Sequence, residues 1–303
     1  MSGFKALILS VLQVSVICTV FGFGLDTTFQ DMLYVIRRPW LLARSLIAMF
    51  IIMPAAAIAL AATFQFRHVV EVALVALSIS PVPPLLPKRE GHAGGRTPYA
   101  LGLMALLALL SILLVPAALE VLRSLVRHPL EMSPRAVARV VFETALGPLA
   151  VGTIVRSLLP AVSRRLGLFV NRIAWILLSV GMVALLTANL AAMWALVGRG
   201  TLTAMAAFIG IALAVGHVLG GPDPEHSAVL ALSNACRHPA IAASIASTNF
   251  PNEEFGATVL LYVVMNVALC IPYILWQRNR VPRGRERASE RPARTFLEPR
   301  ARD

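Results

Sequence analysis

Long apolar stretches separated by short polar breaks run through almost the whole chain. A helix that crosses a membrane needs about 20 mostly apolar residues. Nine segments fit that description: 5–24, 40–63, 69–87, 98–118, 136–158, 168–194, 202–220, 226–247 and 255–277. The breaks collect charge and turn residues: RRP at 37–39, QFRH at 65–68, KREGHAGGR at 88–96, RHPLEMSPR at 127–135, PAVSRRLG at 160–167, GRGT at 198–201, GGPDPEHS at 220–227 and NFPNEE at 249–254. The pattern predicts an all-α membrane protein with nine transmembrane helices over residues 1–277. A tail over 278–303, rich in Arg and Pro, is expected to be disordered, basic and cytoplasmic. The first segment lacks a small-residue cleavage site and reads as a retained span, not a removed signal.

Two segments carry residues that a continuous helix does not tolerate. Segment 69–87 holds Pro81, Pro83, Pro84 and Pro87, and each proline removes a helical hydrogen bond and crowds the preceding turn. Segment 226–247 holds Ser233, Asn234, Arg237, His238 and Pro239 in mid-span. Irregular backbone at membrane depth survives only when protein shields it or when it lines a wet cavity. The two segments are also related. A shift of 155 residues places ALSISPVPP at 76–84 over ALSNACRHP at 231–239, matching Ala76, Leu77, Ser78 and Pro84 to Ala231, Leu232, Ser233 and Pro239. The same shift carries the second to fourth spans onto the seventh to ninth. A displacement of five spans reverses direction through the membrane. The expectation is therefore an inverted repeat of 4+4 spans, about 5–118 and about 168–277, with 136–158 unpaired. Interrupted spans in matching places of two halves point to the binding site of a secondary transporter.

Composition supports the membrane reading. The chain is 58% hydrophobic and 14% charged, against about 45–50% and about 25% for soluble domains. That excludes a soluble enzyme, and the three cysteines, Cys18, Cys236 and Cys270, cannot form a disulfide framework. A net charge of +12 on so apolar a chain belongs in loops beside a membrane and not on a nucleic-acid interface. With the tail inside and the N-terminus outside, nineteen of the 27 Lys and Arg fall on the inner side, nine of them in the tail, and seven on the outer side. This satisfies the positive-inside rule; with no organelle signal in view and an Arg/Ala-rich composition, the expected location is the cell (cytoplasmic) membrane. Arg237 is left over, inside a span.

Several ordered stretches resemble the bile acid:sodium symporter family, within the bile/arsenite/riboflavin transporter superfamily. They are Val20-Phe-Gly-Phe-Gly-Leu-Asp26, Arg38-Pro39 followed by Met49-Phe-Ile-Ile-Met-Pro54, the break from Ser80-Pro81 to Pro87, and the break from Ser233 to Pro239. Together they cover about residues 10–277. The resemblance implies a panel domain and a core domain, with two broken helices crossing in the core. It also implies sodium coupling, yet the family's sodium ligands are not preserved. Pro83-Pro84-Leu85-Leu86-Pro87 replaces a Ser-Asn pair, the next helix keeps only Ser111, and Met49 replaces a glutamine. Ser233 or Asn234 stands for a glutamate, and Arg237-His238 for a Gln-Asn pair. A hard cation wants several oxygen ligands, usually including carboxylate, so the usual sodium ligand set is incomplete; the coupling ion (sodium, proton or none) is left open, and no metal site or cofactor is assigned.

The candidate substrate-binding residues are Arg237, His238, Asn234, Ser233, Ser78 and Ser80. Arg237 carries most weight, because a charge in mid-bilayer is costly. Its guanidinium replaces the positive charge of sodium and either holds an anionic substrate or caps carbonyls at the break. His238 either relays a proton or bonds backbone. Lys88 and Arg89 form an inner gate or an ordinary positive loop. Cys236 reads as a packing residue, Glu143 as a partner of Arg139, and Asn189, Asn266 and His217 as single interhelical hydrogen-bonding groups. The sequence supports a secondary-active transporter of a small organic, anionic solute. The alternative is a non-transporting sensor or scaffold on a transporter fold. No catalytic constellation is present, so no enzyme is expected. The partners are a small molecule and the bilayer; oligomeric state is left open.

Overall fold

A computed structural model describes residues 2–64, 67–123, 132–198, 200–250 and 255–280. The predicted tail from residue 281 onward, and the loop charges Arg127 and Arg199, lie outside the described residues. The described residues are mostly helical, without strands: α1 Ser2–Asp26, α2 Phe29–Met32, α3 Pro39–Ile47, α4 Met53–Thr63, α5 His68–Ile79, α6 Leu86–His92, α7 Thr97–Arg123, α8 Pro134–Val141, α9 Gly147–Leu158, α10 Pro160–Leu196, α11 Thr201–Gly220, α12 Pro224–Ala235, α13 Pro239–Asn249 and α14 Gly256–Arg278. Seven helical segments are long and apolar enough to cross a bilayer. Segments 69–87 and 226–247 are not among them; each is occupied by a pair of short helices, α5 with α6 and α12 with α13.

Two of the seven contain a π turn. Ala48–Ile52 joins α3 to α4, and Phe142–Leu146 joins α8 to α9. Both precede a proline in the first turn of the next helix, Pro54 and Pro148. Proline cannot donate to the preceding turn, and one widened turn absorbs the mismatch without ending the rod.

Two breaks expected in the sequence differ in the structure. PAVSRRLG at 160–167 is helical, so α10 runs without interruption for 37 residues. Pro160 sits at its first position, where its missing N–H costs nothing. At 1.5 Å per residue α10 extends about 55 Å, longer than the hydrocarbon core, so its polar first turns can lie beyond the apolar layer. KREGHAGGR at 88–96 is only partly a loop, because α6 extends to His92.

Helix α1 packs on α9 and α10, while α11 packs on α12 and α13 packs on α5. The outer face of α10 is apolar and exposed, as at Leu168, Phe169, Val180, Leu190 and Trp194, which is the surface that lipid tails cover. The contact of α11 with α12 is close because of Gly216 and Gly220. A Cβ at Gly216 would lie 2.5 Å from the Ala231 Cα, and one at Gly220 would lie 2.5 Å from the Ser227 Cα. Small residues spaced four apart let membrane helices approach to backbone contact, and here they set the position of α12. Gly216→Ala is therefore expected to destabilise by about 1–3 kcal/mol through overpacking. Gly210→Ala on the same helix meets nothing within 4 Å and should be neutral or slightly stabilising. Thermal unfolding of the two variants in detergent checks the opposite signs.

Candidate functional site

The first break begins where α5 ends at Ile79. Ser80 is extended (φ −70°, ψ 143°), as a residue before proline prefers. The chain is non-helical from Ser80 through the turn at Pro84 and Leu85, and α6 starts at Leu86. Pro87 lies in the first turn of α6, so it belongs to the helix and not to the break. The second break is shorter. Helix α12 ends at Ala235, Cys236 is extended (ψ 121°), and α13 opens with Pro239 at its first position. His238 is the N-cap, its Nδ1 accepting the Ile241 N–H at 3.4 Å.

The breaks touch directly. The backbone N–H of His238 donates to the Pro81 carbonyl at 2.9 Å, and Arg237 completes the junction. Its side chain is 2% exposed. Nε donates to the Asn234 carbonyl at 3.0 Å, Nη1 to the Ser80 carbonyl at 3.2 Å, and Nη2 to the Met49 carbonyl at 3.3 Å and Asn234 Oδ1 at 3.1 Å. Each carbonyl lacks a helical partner for a local reason. Asn234 is in the last turn of α12, and Ser80 is the C-cap of α5. Met49 lies in the π turn, where Met53 N–H bonds the Ala48 carbonyl; continuing that pattern would set the Met49 carbonyl against Pro54, which has no N–H.

Around this junction Asn234 Nδ2 donates to the Ala212 carbonyl at 2.9 Å, tying the second break to α11. Tyr262 and Asn266, one turn apart on α14, both donate to the Ala235 carbonyl. Ser78 and Ser80 are buried and turn their hydroxyls back to the carbonyls of Val75 and Ala76. Lys88 Nζ lies 3.8 Å above the ring of Trp175 on α10. Arg89 points inward, donating to Asn266 Oδ1 at 3.0 Å. Arg96, at the loop before α7, donates to Glu225 Oε2 at 2.6 Å and to the Tyr34 hydroxyl at 2.9 Å. Partial burial works against its charge, but these two bonds outweigh it and raise its pKa above the usual arginine value.

A cavity of about 620 Å³ opens against the junction. Its walls come from α1, the α8–α9 segment, α10 and α14, and at the junction it reaches Pro83, Pro84, Leu85, His238 and Pro239. The lining is mostly apolar, with Gln13, Glu143, Thr144, Asn189 and His238 as its polar members. Glu143 is ion-paired with Arg139 at 2.9 Å. Of the candidate binding residues, His238 lines this cavity; Ser78, Ser80, Ser233, Asn234 and Arg237 are buried behind it. With Nδ1 accepting from Ile241, the neutral ring carries its proton on Nε2. That atom is buried and has no hydrogen-bond partner.

The profile of the Sodium Bile acid symporter family matches residues 13–196, from α1 to the end of α10. The chain belongs to this family. It is therefore a multi-pass membrane protein of a transporter family. The matched residues include the first break and Met49, while Arg237 and the second break follow them in sequence. No curated protein matches the chain.

Sequence reasoning missed one buried group. Glu90 was read as part of a polar loop, but it is 1% exposed, and Ser233 Oγ donates to its Oε1 at 2.5 Å. Its place in a charged run hid it, since a carboxylate between Arg89 and Gly91 looks like any loop charge.

The geometry makes Arg237 a tie between three helix discontinuities. Arg237→Ala should leave the three carbonyls unpaired, at about 1–3 kcal/mol for each buried group, and lower the thermal unfolding temperature sharply. Arg237→Lys should not restore it, because one ammonium cannot reproduce the guanidinium fork. An unchanged unfolding midpoint in Arg237→Ala would show that the tie is dispensable.

Proposed function

We propose that this protein is a secondary-active transporter of a small organic anion, working by alternating access, with the solute bound in the cavity at the helix junction. The observation that carries this reading is His238. It lines the cavity, and its Nε2 is buried without a hydrogen-bond partner. The N-terminus of α13 opens beside it at Pro239 and Ala240, where the helix dipole favours negative charge. The Arg237 cation lies one residue behind. Arg139 offsets the carboxylate of Glu143, so the cavity does not repel an anion. The apolar walls suit the body of an organic solute.

In this reading the membrane domain spans nine times. The α5–α6 and α12–α13 pairs count as one broken span each, and the halves about 5–118 and about 168–277 are inverted repeats flanking 136–158. Helices α1, α9 and α10 form the panel, and the broken helices with α11 and α14 form the core. The N-terminus lies outside and the basic tail in the cytoplasm. Lys88, resting on Trp175 of α10, links the core to the panel and acts as an inner gate.

Sodium does not fit the junction. The oxygens of Met49, Ser80 and Asn234 that would form a cation's shell converge on the guanidinium of Arg237 instead. The fixed cation holds the break together in place of a bound ion, and transport is independent of sodium. A second reading, a sensor or scaffold without transport, draws on the burial of Arg237 away from the cavity. It keeps the ligand site and drops the movement.

Thermal-shift measurements on the purified protein across small organic anions and their uncharged counterparts, with and without sodium, test the site. Anions that fit are expected to raise the unfolding temperature equally in both salts. His238→Asn keeps an N-cap acceptor but removes the Nε2–H. It should weaken binding by about 1.5–3 kcal/mol, roughly tenfold or more. Shifts that require sodium, or that survive His238→Asn intact, would refute the assignment. Uptake into proteoliposomes separates transport from sensing.

A further inference from the structure

Glu90 is a buried carboxyl beside the junction, and its surroundings are unusual for a carboxylate. Oε1 accepts from Ser233 Oγ at 2.5 Å. Oε2 is buried and has no hydrogen-bond partner. Among the described residues no cation lies within ion-pair distance of it. Arg89, the adjacent residue, sends its guanidinium away to Asn266 Oδ1 at 3.0 Å and Cys236 Sγ at 3.5 Å.

The helices packed most closely on α6 are α7, α12 and α14, and Lys88 also reaches Trp175 on α10. The titratable groups that α7 and the end of α12 set in the electrostatic surroundings of Glu90, Tyr99 and Cys236, are uncharged in their ordinary forms. The Tyr99 hydroxyl is bonded to Ser45 at 2.8 Å, and Cys236 Sγ donates to Asn266 Oδ1 at 3.0 Å. The charged first turn of α12 is engaged elsewhere, Glu225 with Arg96 and His226 with the Tyr34 hydroxyl. Lys88 rests on Trp175. An ionised carboxylate buried with one hydrogen bond and no counter-charge is strongly disfavoured, and such groups bind a proton instead.

We propose that Glu90 is a proton-binding site at the contact of the two broken helices, with the proton carried on Oε2 while this contact is closed. Glu90 lies on α6 of the first broken pair, and its partner Ser233 lies on α12 of the second. Any motion that separates the pairs and admits water hydrates Oε2, restores ordinary carboxyl acidity and releases H⁺ to that side. Closing the contact requires a proton to be taken up again. Resting on the transporter reading, this makes H⁺ the coupling ion; the binding site itself does not depend on that reading. No electron moves and no other reactant is needed, since the only bond made or broken is O–H.

Infrared spectroscopy of the full-length protein in detergent reads the proton directly. At neutral pH the wild type should show the carbonyl-stretch band of a protonated carboxylic acid, which is lost as the pH is raised. Glu90→Gln should lack that band at every pH. Ser233→Ala removes the hydrogen bond that favours the ionised form, so its band should persist to more alkaline pH than in the wild type. This variant keeps the test decisive if Glu90→Gln folds poorly. A neutral-pH wild type without the band, or a band indifferent to both substitutions, overturns the proposal. A titrating Glu90 in a protein that moves no solute would leave the proton site standing and remove the transporter reading instead.

Discussion

The structure depends on one arrangement, a guanidinium placed where three helices fail to complete their own hydrogen bonding. Breaking a helix inside a membrane exposes carbonyls that no water or lipid satisfies. The α12 break exposes Asn234, the α5 break exposes Ser80, and the π turn before Pro54 exposes Met49. One planar cation with five donors reaches all of them. The charge and the orphaned carbonyls each resolve the other's desolvation cost, which explains how an arginine 2% exposed stands at a site this apolar.

This tie decides what remains available for binding. Arg237 has its hydrogen bonds spent on the junction, so its charge acts on the cavity at a distance and not by contact. His238, the next residue, has one ring nitrogen engaged by the α13 cap and the other unpartnered beside the cavity. Adjacent residues in an extended segment point in opposite directions, so one faces the junction and the other faces the cleft. The break thus sets a cation bonded into the junction beside a residue that lines the cavity.

The position of the second break is in turn set from behind. Glycine contacts draw α12 onto α11, and Asn234, Tyr262 and Asn266 fix the carbonyls and amides around its end. On the far side Glu90 and Ser233 join α6 to α12. The two broken pairs are therefore joined by the His238–Pro81 backbone bond, by Arg89 to Cys236, and by two further side-chain links. The arginine fork is permanently charged. The Glu90–Ser233 link changes with protonation.

Much of this was legible in the sequence, because apolar length, proline placement and charge asymmetry are local properties of a chain. The helical membrane fold and the mid-span position of Arg237 follow from them, while the family came from the resemblance of ordered stretches such as residues 20–26 and 49–54. The sequence also misplaced one break: Ser-Arg-Arg at 163–165 reads as part of it, yet the interruption is confined to Leu159, and nothing after it stops a helix whose proline sits at its start. Its weakest inference was Glu90, because polarity alone does not tell a solvated loop from a half-helix turned inward. Which carbonyls Arg237 serves, and what Glu90 meets, involve partners 143 to 188 residues away for the bonds to Ser233, Ser80 and Met49. No local pattern encodes such pairings. They exist only because the packed helices bring a broken end, a widened turn and a buried carboxyl to the same few ångströms.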